Sequence, residues 1–368
     1  MNVLVVGAGL SGVTIGDLFS DENKVTIIDS SSEVGGNCYD YVDKNGITVH
    51  KYGSHIFHTS DPEVWDYLSS YTSFNNYVHK VLVNINEELV VPLPFNFNSI
   101  RAIFPASEAE LLINRLLTNY PYGSIVPIIE FAKQNDGELK KLFDYIYENI
   151  YFYYTYKQWG QLPNYIDQEV LSRVPISISD DNCYFQDSYQ GIPTEGYTSM
   201  IRKMIDRNNI KLKVKTPFKN EDSDNYDMIF YTGSVDELLN YCYGILPYRS
   251  VRFEIEEYDT QYYQENAVIN YPNNHDYTRI HEYKYYLNDK SDKTVIAKEY
   301  SEPFVPGKNR RSYPIRNKES TLLYEKYLEE AKKKYPNMYF LGRLGDYKYY
   351  DMDDSVRRAI DLYREVIG

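Results

Sequence analysis

Apolar and polar positions follow different rhythms in different parts of the chain. Val3–Val6 is an unbroken apolar run of β-forming residues, and Val25–Ile28 is a second one. Runs without alternation predict strands buried on both faces, as in a parallel sheet. Between them, Val13 to Phe19 carries helical spacing. Residues 225–233, "NYDMIFYTG", predict a further apolar strand that returns to the same sheet. Residues 61–71 predict a helix with Val64, Leu68 and Tyr71 on one face, opened by Ser60-x-x-Glu63 as a capping box. Residues 107–119 predict another, opened by Ser107-x-x-Glu110. Residues 124–157 predict two helical stretches broken near Asp136-Gly137, and 81–94 predict two strands joined by a turn. Residues 249–300 alternate polar and aromatic positions, the pattern of antiparallel strands.

The junction of the first strand and helix reads Gly7-Ala8-Gly9-Leu10-Ser11-Gly12, a G-x-G-x-x-G pattern. Gly7 suits a tight turn, Gly9 lets backbone approach a pyrophosphate, and Gly12 lets the helix pack close to the sheet. The helix N-terminus, Ser11 included, offers unpaired N–H groups to the phosphates. Asp29 ends the second strand about twenty residues on, the place for an acid that accepts hydrogen bonds from a ribose. Strand, glycines, helix, strand and acid in this order predict a Rossmann-type dinucleotide-binding unit. Gly35-Gly36-Asn37 soon after the second strand is similar to flavoproteins that bind FAD.

Composition narrows the class. The chain has 368 residues, 43% hydrophobic and 25% charged, which fits a globular protein with room for more than one compact unit. No apolar run reaches the length of a membrane span, and no basic segment precedes Val3, so neither membrane insertion nor a signal peptide is expected and the cytoplasm is the expected compartment. The net charge of −14, without a basic patch, argues against a nucleic-acid partner. An anion site in such a chain has to be locally positive, which directs attention to individual arginines. Cys38, Cys183 and Cys242 have no metal or disulfide spacing. His50, His55 and His58 cluster in sequence, but His55 and His58 face opposite sides of an extended segment, so no metal site is expected. With 41 tyrosines, a single tyrosine carries little weight by itself.

Eight further segments run in one order: "HKYGSHIFHT" (50–59), "YTYKQWG" (154–160), "SRVP" (172–175), "YFQDSYQGIP" (184–193), "NAVIN" (266–270), "YTRI" (277–280), "KEY" (298–300) and "GRLGDYKYYDM" (342–352). Together with the N-terminal unit they resemble the UDP-galactopyranose mutase family, flavoenzymes that interconvert pyranose and furanose forms of a UDP-sugar. The resemblance runs from the first strand to the last helix.

That resemblance implies a set of roles. Tyr154 and Trp159 would stack on the uracil. Arg173 and Arg279 would hold the diphosphate, with Tyr184, Tyr313 and Tyr349 as phosphate contacts and Asn270 as a further substrate contact. The segment bearing Arg173 would be a lid. His58 would lie near the sugar and the flavin's reactive edge. His55, Gly36, Asn37 and Arg343 would belong to the cofactor site, and Asp351-Met352 would open the last helix toward the flavin. The cofactor would be FAD, active when reduced, with its N5 attacking the anomeric carbon, displacing UDP and forming a covalent flavin–sugar adduct, without net redox. No protein side chain need be the nucleophile; His58, Arg173 and Arg279 would be the catalytic residues. The family's bacterial members suggest a homodimer.

The implied architecture is α/β: a discontinuous Rossmann-type FAD-binding domain (1–78, 191–248 and 314–368), a helical insertion (98–162), and an antiparallel sheet domain (79–97, 163–190 and 249–313). Ser54, His79 and the pair Gly345-Asp346 depart from the family pattern. Ser54 and His79 fall near the expected sugar pocket, so N-acetylgalactosamine, fucose and arabinose nucleotides stand beside UDP-galactose. An amine-oxidase-type flavoenzyme would share the N-terminal fingerprint but would not need the paired arginines or the KQWG segment.

Overall fold

The structure is a computed structural model that describes residues 1–133, 135–163 and 175–368. The chain divides into two compact units. The first comprises Met1–Tyr77, Asp187–Ser250 and Phe304–Gly368; the second comprises Val78–Gln186 and Val251–Pro303.

The first unit is built on a five-stranded parallel sheet. Strand β1 (Asn2–Val6) lies between β2 (Lys24–Ile28) and β4 (Met228–Tyr231), with β3 (Ile210–Lys213) outside β2 and β5 (Met338–Phe340) outside β4. The predicted returning strand is β4, in register Val3 to Met228 and Val6 to Tyr231. Val3, Leu4 and Val5 are buried, which explains the unbroken apolar run. Helix α1 (Leu10–Phe19) packs on the sheet and against α2 (Met352–Ile367), with Phe19 set edge-on to Tyr363 at 4.9 Å between ring centroids. Gly12 is fixed by this packing: a Cβ there would come within 2.0 Å of the Gly7 carbonyl oxygen.

The helix predicted over 61–71 is Pro62–Ser69, and its cap is Asp61, not Ser60. Pro62 has no N–H and takes the first helical position, which places the cap one residue later. Asp61 Oδ1 accepts from Glu63 N at 2.9 Å and Val64 N at 3.3 Å, and Ser60 turns its hydroxyl to Asp187 instead. Arg357 of α2 donates to Asp61 at 2.8 Å and Glu63 at 2.9 Å, tying the two helices together.

The second unit combines helices with a sheet. The hairpin Val81–Asn84 and Val90–Leu93 appears where two strands are predicted. Val268–Asn270 pairs antiparallel with Arg279–Glu282, which pairs antiparallel with Thr294–Pro303. Val268–Asn270 runs parallel to Val81–Val83, so the sheet is mixed. The helix expected from Ser107 is Ala106–Asn119 and has no side-chain cap; Glu110 binds Arg101 at 3.1 Å instead. The 124–157 block opens with a short strand, Ile125–Pro127, then Ile128–Phe131. Asp136 caps Gly137–Ile146, as the break there suggests. A wide turn over Tyr147–Tyr151 leads into Phe152–Trp159, and Gly160 at φ 65° stops that helix after Trp159.

Candidate active site

In the first unit a cavity of about 660 Å³ opens at the carboxyl ends of the parallel strands. It is lined by Gly7, Gly9, Ser11, Gly12, Asp29, Gly36, Asn37, His55, Arg343, Asp351 and Met352, so every residue expected around the cofactor borders one space. α1 begins there after Gly9, without a side-chain cap. The N–H groups of its first turn have no partner inside the helix and point their dipole ends at the cavity mouth, which fits a pyrophosphate. Asp29 stands at the end of β2 and accepts from Ala8 N and Ser31 N, both at 2.7 Å. These bonds fix the carboxylate beside the glycine turn, where each oxygen keeps a further lone pair for a ribose hydroxyl.

Charge at the cavity is mixed. Lys219, Arg310 and Arg343 line it, but so do Asp29, Glu237 and Asp351. Any phosphate there would be held by oriented backbone N–H groups and individual guanidinium groups, not by a net positive wall. Arg310 was not expected from the sequence. It lies 3.9 Å from the Tyr52 ring centroid and 3.4 Å from Asn37 Oδ1. The pair Arg310-Arg311 was the available signal, but a doubled arginine resembles any solvated surface. Cys38 also lines the cavity, and its burial pushes the thiol up to about 12, with Arg343 opposing.

Arg343 is held on three sides. Its Nη2 donates to Tyr350 O at 2.6 Å and its Nη1 to Ser312 O at 3.3 Å. The Tyr313 and Tyr349 rings lie 5.1 and 5.2 Å from the guanidinium and stack on each other at 5.4 Å and 12°. Asp351 is the residue before α2, and Asp354 accepts from its N–H at 3.1 Å. The crowding of arginine, phenols and acids over 343–354 is one packed motif.

His58 sits on a short strand, Phe57–Thr59, paired antiparallel with Tyr189–Gly191. Its Nδ1 is 2.8 Å from Asp187 Oδ2, and Ser60 donates to Asp187 Oδ1 at 2.8 Å. In the tautomer that gives Nδ1–H to the carboxylate, Nε2 is the acceptor. Asp187 was missed, since nothing in sequence marks an aspartate 129 positions away as a partner. His55 Nδ1 lies 2.8 Å from Gly53 O and its backbone N–H donates to His50 Nδ1 at 3.1 Å, so these two histidines also shape the local turn.

In the second unit, Tyr154 and Trp159 lie on Phe152–Trp159, both half-buried, so Trp159 is not a core residue. The Arg279 guanidinium is 5.9 Å from the Tyr154 ring centroid, and its Nε is 3.0 Å from Glu299 Oε1. Asn270 is buried opposite Arg279 in register, and among the described residues its Oδ1 has no hydrogen-bond partner. Tyr184 is half-buried, and its ring meets that of His79 edge-on at 5.6 Å; His79 stacks on Phe185 at 5.5 Å and 26°. Glu299 and His281 were also missed. Their signal is register: Arg279 faces Glu299, and His281 lies two residues on along the same strand face. Arg173 and its segment lie outside the described residues.

The family model for UDP-galactopyranose mutase matches residues 149–349, and the model for an NAD(P)-binding Rossmann-like domain matches residues 5–71. A probable UDP-galactopyranose mutase of Klebsiella pneumoniae is 37% identical over 372 residues, covering all of this chain and 95% of that protein. The chain belongs to the UDP-galactopyranose mutase family. A second relative, the dTDP-fucopyranose mutase of Escherichia coli, is 34% identical over 98% of this chain and 96% of its own length. A solved structure of reduced UDP-galactopyranose mutase matches the fold with a TM-score of 0.76 at 16% identity, over 100% of this chain and 94% of that one. Members of the family are isomerases, and membership sets aside the amine-oxidase reading. Among the described residues no helix is long and apolar enough to cross a membrane, and no group of three His, Cys, Asp or Glu side chains could hold a metal ion.

Proposed function

We propose that this protein is a flavin-dependent mutase that interconverts the pyranose and furanose forms of a UDP-sugar, with UDP-galactose as the sugar nucleotide and FAD as the cofactor. It supplies furanose for cell-surface polysaccharide, as a homodimer in the cytoplasm. The observation that carries the reading is the Arg279 guanidinium beside the Tyr154 ring: a phosphate-binding fork next to a stacking face, on segments whose sequences are those of the family.

The cavity's fit to a dinucleotide supports FAD, held by the first turn of α1, Asp29, Gly36, Asn37, His55, Arg343 and the start of α2. Bound in its reduced form, the flavin supplies a nucleophilic nitrogen to the anomeric carbon without net redox. The protein's own part is to bind and orient. Tyr154 and Trp159 stack on the uracil. Arg173 and Arg279 hold the diphosphate both before and after it leaves the sugar, and Tyr184, Asn270, Tyr313 and Tyr349 add hydrogen bonds. His58, fixed by Asp187, offers Nε2 to a sugar hydroxyl. Relatives of similar identity bear the names of UDP-galactopyranose and dTDP-fucopyranose mutases, so the diphosphate contacts suit either nucleotide and selectivity lies in the residues around the base and the sugar ring.

The test is direct. Purified protein should be yellow, bleach with dithionite, release FAD on denaturation, and then convert UDP-galactofuranose to UDP-galactopyranose without consuming reductant. Release of NAD alone, or turnover only with a different sugar nucleotide, would overturn the cofactor or the sugar.

A further inference from the structure

Lys157 lies one helical turn after Tyr154, inside the KQWG segment, and its stem runs away from solvent. Its Nζ donates to three main-chain carbonyls: Tyr271 O, His275 O at 3.0 Å and Tyr277 O at 3.0 Å. All three belong to the loop 271–278, which connects the strand ending at Asn270 to the strand beginning at Arg279. Tyr271 N donates to Thr278 O at 2.8 Å and closes the mouth of this loop. The Tyr271, His275 and Tyr277 rings pack on one another, with His275 and Tyr277 stacked at 4.6 Å and 12°. Asn273 ties the tip to Ile85 O and Asn149 O.

Three carbonyl dipoles aimed at one point repel each other and lose water on burial unless a cation meets them. An ammonium has three N–H donors, so Lys157 and the loop match one to one. We propose that Lys157 is a positioning residue for the nucleotide: it gathers the 271–278 loop into the conformation that sets Asn270 and Arg279 beside Tyr154. The inference rests on the reading of those three residues as nucleotide contacts. The compact ammonium is specific here, because the wider guanidinium of arginine presents its donors in a planar fork that does not converge on three carbonyls. Burial pushes the Lys157 amine down to about 8, with the Asp276 carboxylate opposing, so the clamp is charged at neutral pH and loses its third donor above pH 8. The groups facing it are Asp276 and the His275 ring, which Glu87 approaches at 3.6 Å, with Tyr271 and Tyr277, whose phenols burial pushes up out of that range.

The experiment titrates UDP into flavin-loaded wild type and Lys157→Met, which keeps the length of the stem without its donors, and measures KM and kcat for the UDP-sugar. UDP binding and KM should weaken ten- to a hundredfold in Lys157→Met, with kcat within a few-fold and the flavin spectrum close to wild type, while the thermal midpoint falls because three carbonyls lose their donor. Lys157→Arg should not restore binding. Should Lys157→Met fail to fold, Lys157→Gln decides: its shorter amide carries two N–H donors and no charge, and its UDP affinity should fall at least about fivefold. Lys157→Met, or Lys157→Gln in its place, binding UDP as tightly as wild type overturns the inference alone. Wild type that does not bind UDP overturns the nucleotide reading together with it.

Discussion

Arg279 and Glu299 face each other across paired strands, Nε to Oε1 at 3.0 Å, and the carboxylate is almost fully buried. Glu299 also accepts from Thr278 Oγ1 at 2.9 Å and from His281 Nε2 at 3.0 Å. Burial by itself raises a carboxyl's pKa, but Arg279 first, then the His281 and Thr278 hydrogen bonds, bring Glu299 down to about 2. Burial holds His281 below its ordinary value, so it meets Glu299 as a neutral donor. The arrangement directs one edge of the guanidinium into the sheet and so sets the orientation of the rest.

Glu299→Gln keeps the shape and removes the charge. It should cost about 1.5–3 kcal/mol of stability at pH 7, read from urea midpoints. Because the folded pKa is depressed, the stability from Glu299 is fully present above its ordinary value of 4.5 and is lost as pH falls toward about 2. The gap between wild type and variant should therefore close below pH 4. A gap of constant size from pH 7 to pH 3 would contradict the ionised pair.

On the proposed reading, Arg279→Ala and Arg173→Ala would each remove a charge-assisted phosphate contact, worth about 1.5–3 kcal/mol, or roughly ten- to more than a hundredfold in binding. Both variants should retain flavin at wild-type stoichiometry while turnover with UDP-sugars collapses. Wild-type kinetics in both would show that the diphosphate lies elsewhere.

Thiol labelling reads the cavity floor. Cys242 is exposed, Cys183 is intermediate, and Cys38 is buried with its thiol pushed up to about 12. A thiolate-seeking reagent should modify Cys242 first in native protein and reach Cys38 only after denaturation. Rapid native modification of Cys38 would contradict its burial.

His58→Ala should lower turnover for every accepted sugar, and Asp187→Ala should lower it to a smaller extent, since the imidazole survives but loses its fixed tautomer. His79→Asn should behave differently. His79 is packed against the Tyr184 and Phe185 rings, so the smaller side chain removes their support. A mixed-substrate competition assay should show a changed preference between UDP-galactose and its deoxy, pentose or N-acetyl relatives. An unchanged ratio would put selectivity outside this position.

The sequence by itself determined the dinucleotide unit, because that unit is local. Strand, glycine turn, helix, strand and Asp29 lie within thirty residues, and their conformations follow from backbone sterics and an unbroken apolar run. Helix ends were less legible: Ser60 and Asp61 are both good caps, and only the missing N–H of Pro62 decided between them. Tertiary structure alone decided the partners of the chemistry-bearing side chains. His58 meets Asp187 because two distant strands pair, Arg279 meets Glu299 through sheet register, and Lys157 meets three carbonyls of a loop more than a hundred positions away. Main-chain carbonyls carry no residue identity, and an acid that fixes a histidine looks in sequence like any solvated acid. Those pairings exist only once burial makes an unpaired charge or dipole costly, and burial is a property of the folded chain.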